Sequence, residues 1–143
     1  IGGPGAWWAT GGPSGGTLVS GIYCANGNID VSGGTNISGT VTFVATGRVT
    51  ISSSSVNFTA FSNGIIAYAG ATSDCYSNQA IGVGSNDVVM NGSFDAPNGC
   101  INDSGTNIAI NGSLVGSAVQ IGVGGVSSIN PTSGGGANYW MYQ

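Results

Sequence analysis

The sequence SNDVVMNGSF at positions 85–94 returns 20 positions later as GTNIAINGSL at positions 105–114. Val88 corresponds to Ile108, Met90 to Ile110 and Phe94 to Leu114. A period near 20 residues, built from short β-branched segments and Gly/Asn/Ser turns, is typical of a solenoid. Each period forms one rung, and stacked rungs share one apolar core.

The same period extends beyond this segment in both directions. Ile81, Ile101 and Ile121 are 20 positions apart, as are the pairs Ile29/Val49 and Val31/Ile51. Apolar residues alternate with polar ones at positions 41–43, 49–51 and 56–58, as expected for strands with one buried face. Recurrence at one long period favours a parallel stack over antiparallel hairpins.

These patterns predict an all-β, right-handed parallel β-helix with rungs of about 20 residues. Residues 1–16 are rich in Gly and Pro and form a predicted N-terminal arm, and residues 17–143 form the β-helix domain with an aromatic tail. Residues 70–79 lose the strand pattern and are expected to project as a loop. Asn91 and Asn111 should stack and exchange amide hydrogen bonds.

Charge is scarce in this chain. Arg48 is its one cation, the five anions are all Asp, and Lys, Glu and His are absent. This composition excludes a basic groove for nucleic acid, and the net charge of −4 gives no attraction to an anionic membrane. No apolar run is long enough for a spanning helix, so we expect no membrane insertion. The start at Ile1 suggests a processed chain or a fragment.

The three cysteines, Cys24, Cys75 and Cys100, do not follow a zinc-binding spacing. Cys75 lies just before the Ile81 rung, and Cys100 just before the Ile101 rung. They should therefore meet across one rung spacing and form a disulfide, which leaves Cys24 free and buried. The alternative is three buried free cysteines.

Several segments resemble a known family. These are GIY at 21–23, NGSFDAPNG at 91–99, INGSLVG at 110–116 and the ending Trp140-Met141-Tyr142-Gln143. They are similar to the C-terminal β-helical domains of secreted bacterial proteins associated with Tad/Flp pilus assembly (TadG-like). The resemblance covers roughly residues 17–143 and rests on turns and strands. It implies a β-helical surface protein and no catalytic residue.

Chemical signals are weak. The five Asp residues are interpreted as turn caps and solvated groups, with Asp95 in a turn. Little else is available for proton transfer, so we expect no enzyme. Residues 82–88 are faintly similar to a calcium-binding repeat, but the following copies lack the Asp, and we expect no metal and no cofactor. Of five Asn-x-Ser/Thr sequons, Asn57 and Asn102 are the candidate glycosylation sites.

The expected function is that of a non-enzymatic, secreted structural or surface protein at the cell surface, associated with a pilus or filament. Self-association is the expected partnership, because solenoid ends expose unpaired backbone groups. The predicted assembly interface comprises Trp7, Trp8, Tyr139, Trp140 and Tyr142. The competing interpretation is that these aromatics cap their own subunit. The alternative function is an adhesin module that binds carbohydrate or another surface.

Overall fold

A computed structural model describes residues 2–4, 16–32, 34–122 and 128–130. The described residues form strands and connecting turns. The strands are β1 (Gly2–Pro4), β2 (Gly16–Thr17), β3 (Gly21–Asn26), β4 (Ile29–Val31), β5 (Thr35–Ala45), β6 (Val49–Ile51), β7 (Ser54–Ala60), β8 (Ile65–Ala69), β9 (Ile81–Val83), β10 (Asn86–Asn91), β11 (Ser93–Asp103), β12 (Thr106–Asn111), β13 (Leu114–Ile121) and β14 (Ser128–Ile129).

All pairings between these strands are parallel, and they wind into a β-solenoid of about five turns. Three faces surround one core. Face 1 consists of β2, the first half of β5, β7, β10, β12 and β14. Face 2 consists of β1, β3, the second half of β5, β8 and the first halves of β11 and β13. Face 3 consists of β4, β6, β9 and the second halves of β11 and β13.

The core consists of apolar columns that run along the stack. On face 1, Val88 pairs with Ile108 and Met90 with Ile110, and all four side chains are buried, as the repeat predicts. On face 2, Phe94 pairs with Leu114, also as predicted. On face 3, one column contains Ile29, Val49, Ile81 and Ile101, and another contains Val31, Ile51 and Val83.

The third rung departs from the period. Val49 pairs with Ile81, 32 residues later, because this rung carries two insertions. The first occupies the corner between β7 and β8, where buried Thr42 donates its hydroxyl to the carbonyl of Ile65 at 2.6 Å and accepts the N–H of Ser62 at 3.1 Å. The second is the predicted loop, which lies between the end of β8 at Ala69 and the start of β9 at Ile81.

One corner of the solenoid is built from left-handed residues. Asn36, Ser55, Asp87 and Asn107 have φ between 52° and 56°, and they occupy equivalent positions in four successive rungs. Asn and Asp tolerate this conformation better than most residues because their short polar side chains bond locally. Here Asn107 donates its amide to Oδ1 of Asp87 at 2.9 Å. The repeated Asn/Asp therefore turns the chain from face 3 to face 1.

Two sequence predictions about the last rungs were wrong. Ile101 pairs with Val119 and not with Ile121, which pairs instead with Asp103. The register shifts because β11 has Pro97-Asn98-Gly99 where β13 has only Ser117. Asp95 lies within strand β11, between Tyr68 and Val115, and not in a turn.

Residues of the predicted arm also join the stack. Gly2–Pro4 pairs with Cys24–Asn26 of β3, and β2 begins at Gly16. The β-helix thus includes strand β1, which the sequence boundary at residue 17 placed outside it.

Candidate functional site

The charged residues are scattered over the solenoid. Asp30 lies on face 3, Asp95 on face 2, Asp87 at the corner described above and Asp74 in the loop of the third rung. In the described ranges, no three residues among His, Cys, Asp and Glu are grouped so that they could hold a metal ion. The Asp residues of the described ranges therefore form no carboxylate cluster.

Among the Asp residues, Asp103 alone is buried. It continues the core column of Val31, Ile51 and Val83, and its exposed fraction is only 3 %. Its Oδ1 accepts the N–H of Gly105 at 3.3 Å. Asp103 thus caps a turn, as expected for these Asp residues, but from inside the solenoid and not from solvent.

The loop of the third rung is held to the fourth rung by a disulfide between Cys75 and Cys100, as predicted. Ser73 supports the same junction, because its hydroxyl accepts the N–H of Cys100 at 3.0 Å. Within the loop, Oδ1 of Asp74 accepts the N–H groups of Tyr76 and Ser77 at 2.9 and 3.2 Å. These bonds order the loop while leaving the Tyr76 side chain 95 % exposed.

Cys24 is free, as predicted, but the prediction that it is buried was wrong. It lies on β3 between Tyr23 and Ala25, which both point into the core, so the alternation of the strand directs Cys24 outward. This alternation was visible in the sequence, because Tyr23 is 20 positions before Phe43. The alternation of the strand predicts the orientation of the Cys24 side chain better than the general tendency of cysteine to be buried.

A shallow groove on face 2 surrounds Cys24. It has a volume of about 530 Å³, and its outward-facing residues Cys24, Val44 and Tyr68 are neighbours in register on three rungs. The remaining lining residues are Ala25, Asn26, Ala45, Thr46 and Gly70. Thr46 donates its hydroxyl to Oδ1 of Asn26 at 3.1 Å, which fixes the polar rim. The groove therefore combines an apolar floor, one phenol ring, and amide and hydroxyl groups.

The outer side of face 1 carries a polar ladder. Asn91 donates to Thr59 at 3.5 Å, Asn111 donates to Oδ1 of Asn91 at 2.8 Å, and Asn130 donates to Oδ1 of Asn111 at 3.1 Å. The predicted Asn91–Asn111 ladder is confirmed and extends by one rung on each side. These side chains bond to one another along the stack, and the ladder contains no charge.

The end of the solenoid at β13 is apolar. Val119 and Ile121 are the last members of the two core columns of face 3, and they are 39 % and 38 % exposed. Val115, on face 2 of the same strand, is also exposed. Among the described strands β13 pairs only with β11, and its eight residues carry no charge. At this end the core is therefore partly exposed on face 3, whereas on face 1 strand β14 covers β12.

At the opposite end of the solenoid, the core residues of the first rung are buried. Tyr23, Ile29 and Val31 belong to the first rung, and all three are buried. Tyr23 also donates its hydroxyl to the carbonyl of Val19 at 2.7 Å. The two ends of the solenoid therefore differ: the core residues are buried in the first rung and partly exposed in β13.

The predicted assembly aromatics Trp7, Trp8, Tyr139, Trp140 and Tyr142 lie outside the described residues. Of the glycosylation candidates, Asn57 is exposed on the outer side of face 1, and Asn102 is half-buried on the outer side of face 3.

The segment 82–88 that resembles a calcium repeat forms β9 and the start of β10. None of the described residues forms a helix with the length and apolar character needed to span a bilayer.

Comparison with known proteins adds no identification. No protein-family model, no curated protein and no solved structure matches this chain. The conclusion that the site supports on its own is a parallel β-solenoid with one covered end and one exposed apolar end.

Proposed function

We propose that this chain is a non-enzymatic structural protein of the extracellular space or cell surface, associated with a pilus or filament, which associates with copies of itself. One observation supports this most directly: the core is exposed at Val119 and Ile121 on β13, a strand that pairs with β11 alone among the described strands. Solenoid proteins that stay monomeric cover such ends with polar caps, because the unpaired backbone is a template for another chain.

The surface composition supports the same proposal. The whole chain has six charged residues, and a protein with so few charges has little electrostatic repulsion between copies. Hydroxyl and amide groups that bond to each other along the stack, such as Asn91 and Asn111, take the place of charged groups. The Cys75–Cys100 disulfide is compatible with an oxidising compartment outside the cytosol.

The test is the association state of the full chain. Sedimentation velocity over a wide concentration range should show oligomers, and negative-stain images should show a regular assembly at high concentration. A protein that sediments as a monomer at every concentration would contradict the proposal. Measurement under non-reducing conditions, repeated with Cys24→Ser, separates this association from cross-linking through the exposed thiol.

A second candidate function is carbohydrate binding in the groove on face 2. The specific observation is the Tyr68 ring beside Asn26 and Thr46 over an apolar floor. A pocket with a mainly apolar lining and a few placed polar groups is suited to a small ligand. An aromatic ring with amide and hydroxyl neighbours can contact both the apolar face and the hydroxyl groups of a sugar.

A glycan array tests this second candidate. Binding by the wild-type protein that is lost with Tyr68→Ala and kept with Tyr76→Ala would support it, because Tyr76 is an exposed tyrosine of the loop and does not line the groove. Thermal denaturation of both variants should first establish that they are folded. No reproducible binding by the wild-type protein would count against the groove as a sugar site.

A further inference from the structure

We propose that Asn63 is a site of spontaneous covalent modification, at which the side-chain amide is lost and aspartate or isoaspartate takes the place of asparagine. The reacting groups are the backbone nitrogen of Gly64 and water. This inference is independent of the proposed self-association and of the groove on face 2. It rests on the conformation, exposure and hydrogen bonding of one corner of the third rung.

The sequence contains five Asn-Gly pairs, and this dipeptide reacts most readily because glycine has no Cβ to hinder the approach of its nitrogen. The asparagines of these pairs are Asn26, Asn63, Asn91, Asn98 and Asn111. Composition alone makes all of them equal candidates. The structure separates them, because the reaction requires the peptide group between the two residues to rotate.

The reaction consumes one water and releases one ammonia, and it needs no oxidant or cofactor. The nitrogen of Gly64 loses its proton to base in the solvent and attacks Cγ of Asn63. The bond between Cγ and Nδ2 breaks, and ammonia leaves with a proton taken from water. Water then opens the cyclic succinimide at one of its two carbonyl carbons. Opening at Cγ gives aspartate, and opening at the backbone carbonyl gives isoaspartate, in which the main chain runs through Cγ.

Asn63 and Gly64 are the central residues of a tight turn at the corner between β7 and β8. Their φ angles are 52° and 69°, and Ile65 donates its N–H to the carbonyl of Ser62 at 3.0 Å, as in a type I′ turn. Both central residues are exposed, and a Cβ on Gly64 would meet no atom within 4 Å. Water and base in the solvent therefore have access to the reacting groups.

Few bonds oppose rotation of the peptide group between Asn63 and Gly64. Among the described residues, no hydrogen bond is made by the Asn63 side chain, the Asn63 carbonyl or the Gly64 N–H. The Gly64 carbonyl accepts the N–H of Ser93 at 2.7 Å, so the following peptide group anchors the turn to the fourth rung. The peptide group that must rotate is thus the one that the neighbouring rungs do not hold.

The two pairs of face 1, by contrast, are held within the stack. Gly92 donates its N–H to the carbonyl of Asn111 at 3.0 Å, so its nitrogen is engaged. The side-chain amides of Asn91 and Asn111 are bonded to each other in the ladder. Gly112 is buried against the carbonyl of Gly92. Reaction at either pair therefore requires neighbouring rungs to separate.

The remaining two pairs are restrained by burial or by bonds to the next rung. Gly99, which follows Asn98, is buried. Oδ1 of Asn26 accepts the Thr46 hydroxyl at 3.1 Å, and the carbonyl of Gly27 accepts an N–H of the second rung at 2.9 Å. A site that reacts only after local opening is slowed by the free energy of that opening. Asn63 is therefore the asparagine expected to react first in the folded protein.

The modification would change both the charge and the backbone of this corner. The chain has six charged residues and a net charge of −4, so one added carboxylate is a large relative change. Isoaspartate also lengthens the main chain within a turn of two residues. The hydroxyl of buried Thr42 donates to the carbonyl of Ile65 and accepts the N–H of Ser62, the residues that flank this turn. We expect isoaspartate at position 63 to break these bonds and lower the melting temperature.

Ageing of the folded chain tests the inference. The protein is incubated in mildly alkaline buffer made with heavy-oxygen water, and peptides are then mapped by mass spectrometry, so that modification during the incubation carries the label. Position 63 should be modified roughly tenfold or more faster than each of the other four asparagines. The same incubation in denaturant should bring the five rates close together. Ion exchange should show one added negative charge, with Asn63→Asp as the reference.

Substitution of the glycine provides a matched comparison. Gly64→Ala keeps the asparagine but places a Cβ beside the attacking nitrogen, and it should slow modification at position 63. Gly84→Ala, whose new Cβ would make only an ordinary contact, should leave that rate unchanged. If Gly64→Ala does not fold, the comparison of native and denatured wild-type protein decides.

The outcomes differ clearly. Preferential labelling of position 63 in the native protein supports the inference. Equal rates at all five pairs in the native protein overturn it, as does earlier modification of another asparagine. An Asn63 that stays intact in the native protein but reacts in denaturant also overturns it, since the turn would then protect the residue.

Discussion

The side-chain amide of Asn111 donates to Oδ1 of Asn91 at 2.8 Å, and Asn111 in turn accepts from Asn130 at 3.1 Å. The Asn111 amide is thus a donor to the rung before it and an acceptor from the rung after it. The bonds run along the stack, in the direction of the backbone bonds between strands. Amide ladders of this kind couple neighbouring rungs, since each bond polarises the next.

Asn111→Ala should weaken the last two rungs modestly. The change removes the acceptor of Asn130 and the donor to Asn91 at a partly exposed position, so we expect a loss of about 1 kcal/mol. For a domain of this size that corresponds to a fall in the melting temperature of about 2–4 °C. Thermal denaturation followed by circular dichroism measures it. Asn57→Ala, on the same outer face, should change the melting temperature less, and an equal fall would count against the ladder.

Ile110→Asp should unfold the C-terminal rungs. Ile110 is 1 % exposed and lies between Met90 and Ile129, so the substitution buries an unpaired carboxylate in the core. Hydrogen exchange with mass spectrometry should show lost protection in β10 to β13. Because rungs contact only their neighbours, β3 to β6 should keep more protection.

Val89→Asp is the matched control for that experiment. Val89 is on the adjacent rung but faces outward and is exposed. Its substitution should leave the exchange pattern nearly unchanged. If both variants lose protection to the same extent, the inward and outward assignment of face 1 is wrong.

Loss of the disulfide should destabilise the third and fourth rungs. Cys75→Ser with Cys100→Ser removes a link between positions 25 residues apart, for which we expect a loss of about 3 kcal/mol in the free energy of unfolding. Chemical denaturation measures the loss, and limited proteolysis should locate new cleavage between residues 70 and 80. Cys24→Ser is the control and should unfold like the wild type.

Cys24 should react with a thiol reagent in the native protein. Its side chain is exposed on face 2, whereas the other two cysteines are bonded to each other. Intact mass measurement after maleimide treatment without denaturant should show one adduct, and peptide mapping should place it on Cys24. An adduct that forms only in denaturant would restore the original expectation of burial.

Gly105→Ala should be severely destabilising, while Gly84→Ala should be tolerated. A Cβ on Gly105 would collide with the carbonyl oxygen of Ser85 in the rung below, and the backbone there cannot move without separating the rungs. At Gly84 the nearest atom to a new Cβ would be the Ser104 hydroxyl at 3.8 Å, an ordinary contact. Melting temperatures of the two variants compare the effects, and similar values would contradict this account of the corner.

The sequence predicts the fold where rungs have equal length. The offset of 20 between Val88 and Ile108 is the register of β10 on β12, and Ile29 over Val49 is correct for the same reason. The Cys75–Cys100 pair follows from this regularity, because both residues lie just before stacked strands. The period equals the number of residues between two stacked positions, so a regular period predicts directly which residues pair.

The sequence fails where rungs differ in length. The third rung inserts residues at two corners, which puts Val88 32 positions from its partner Val56 and hides the repeat. At the corner between faces 2 and 3, β13 has one residue, Ser117, where β11 has the three residues 97–99. The last rung is therefore shorter, and Ile121 pairs with Asp103 and not with Ile101. Insertions and deletions at the corners interrupt the period and therefore leave no periodic signal of their own. The exposed end at Val119 could be located only after this shift was known.

The disulfide also decides how the molecule would respond to a pulling force. Rungs bonded only to their neighbours can be peeled off one after another, so tension at the C-terminus would strip the fifth rung and then part of the fourth. Cys100 lies inside the fourth rung and is tied to the third through Cys75. Beyond that point the covalent bond, which does not yield at forces that break hydrogen bonds, would pass the load from Cys100 directly to Cys75. The 43 residues that follow Cys100 would be released first, a tether of about 150 Å at full extension, while the 24 residues between the two cysteines would carry no tension.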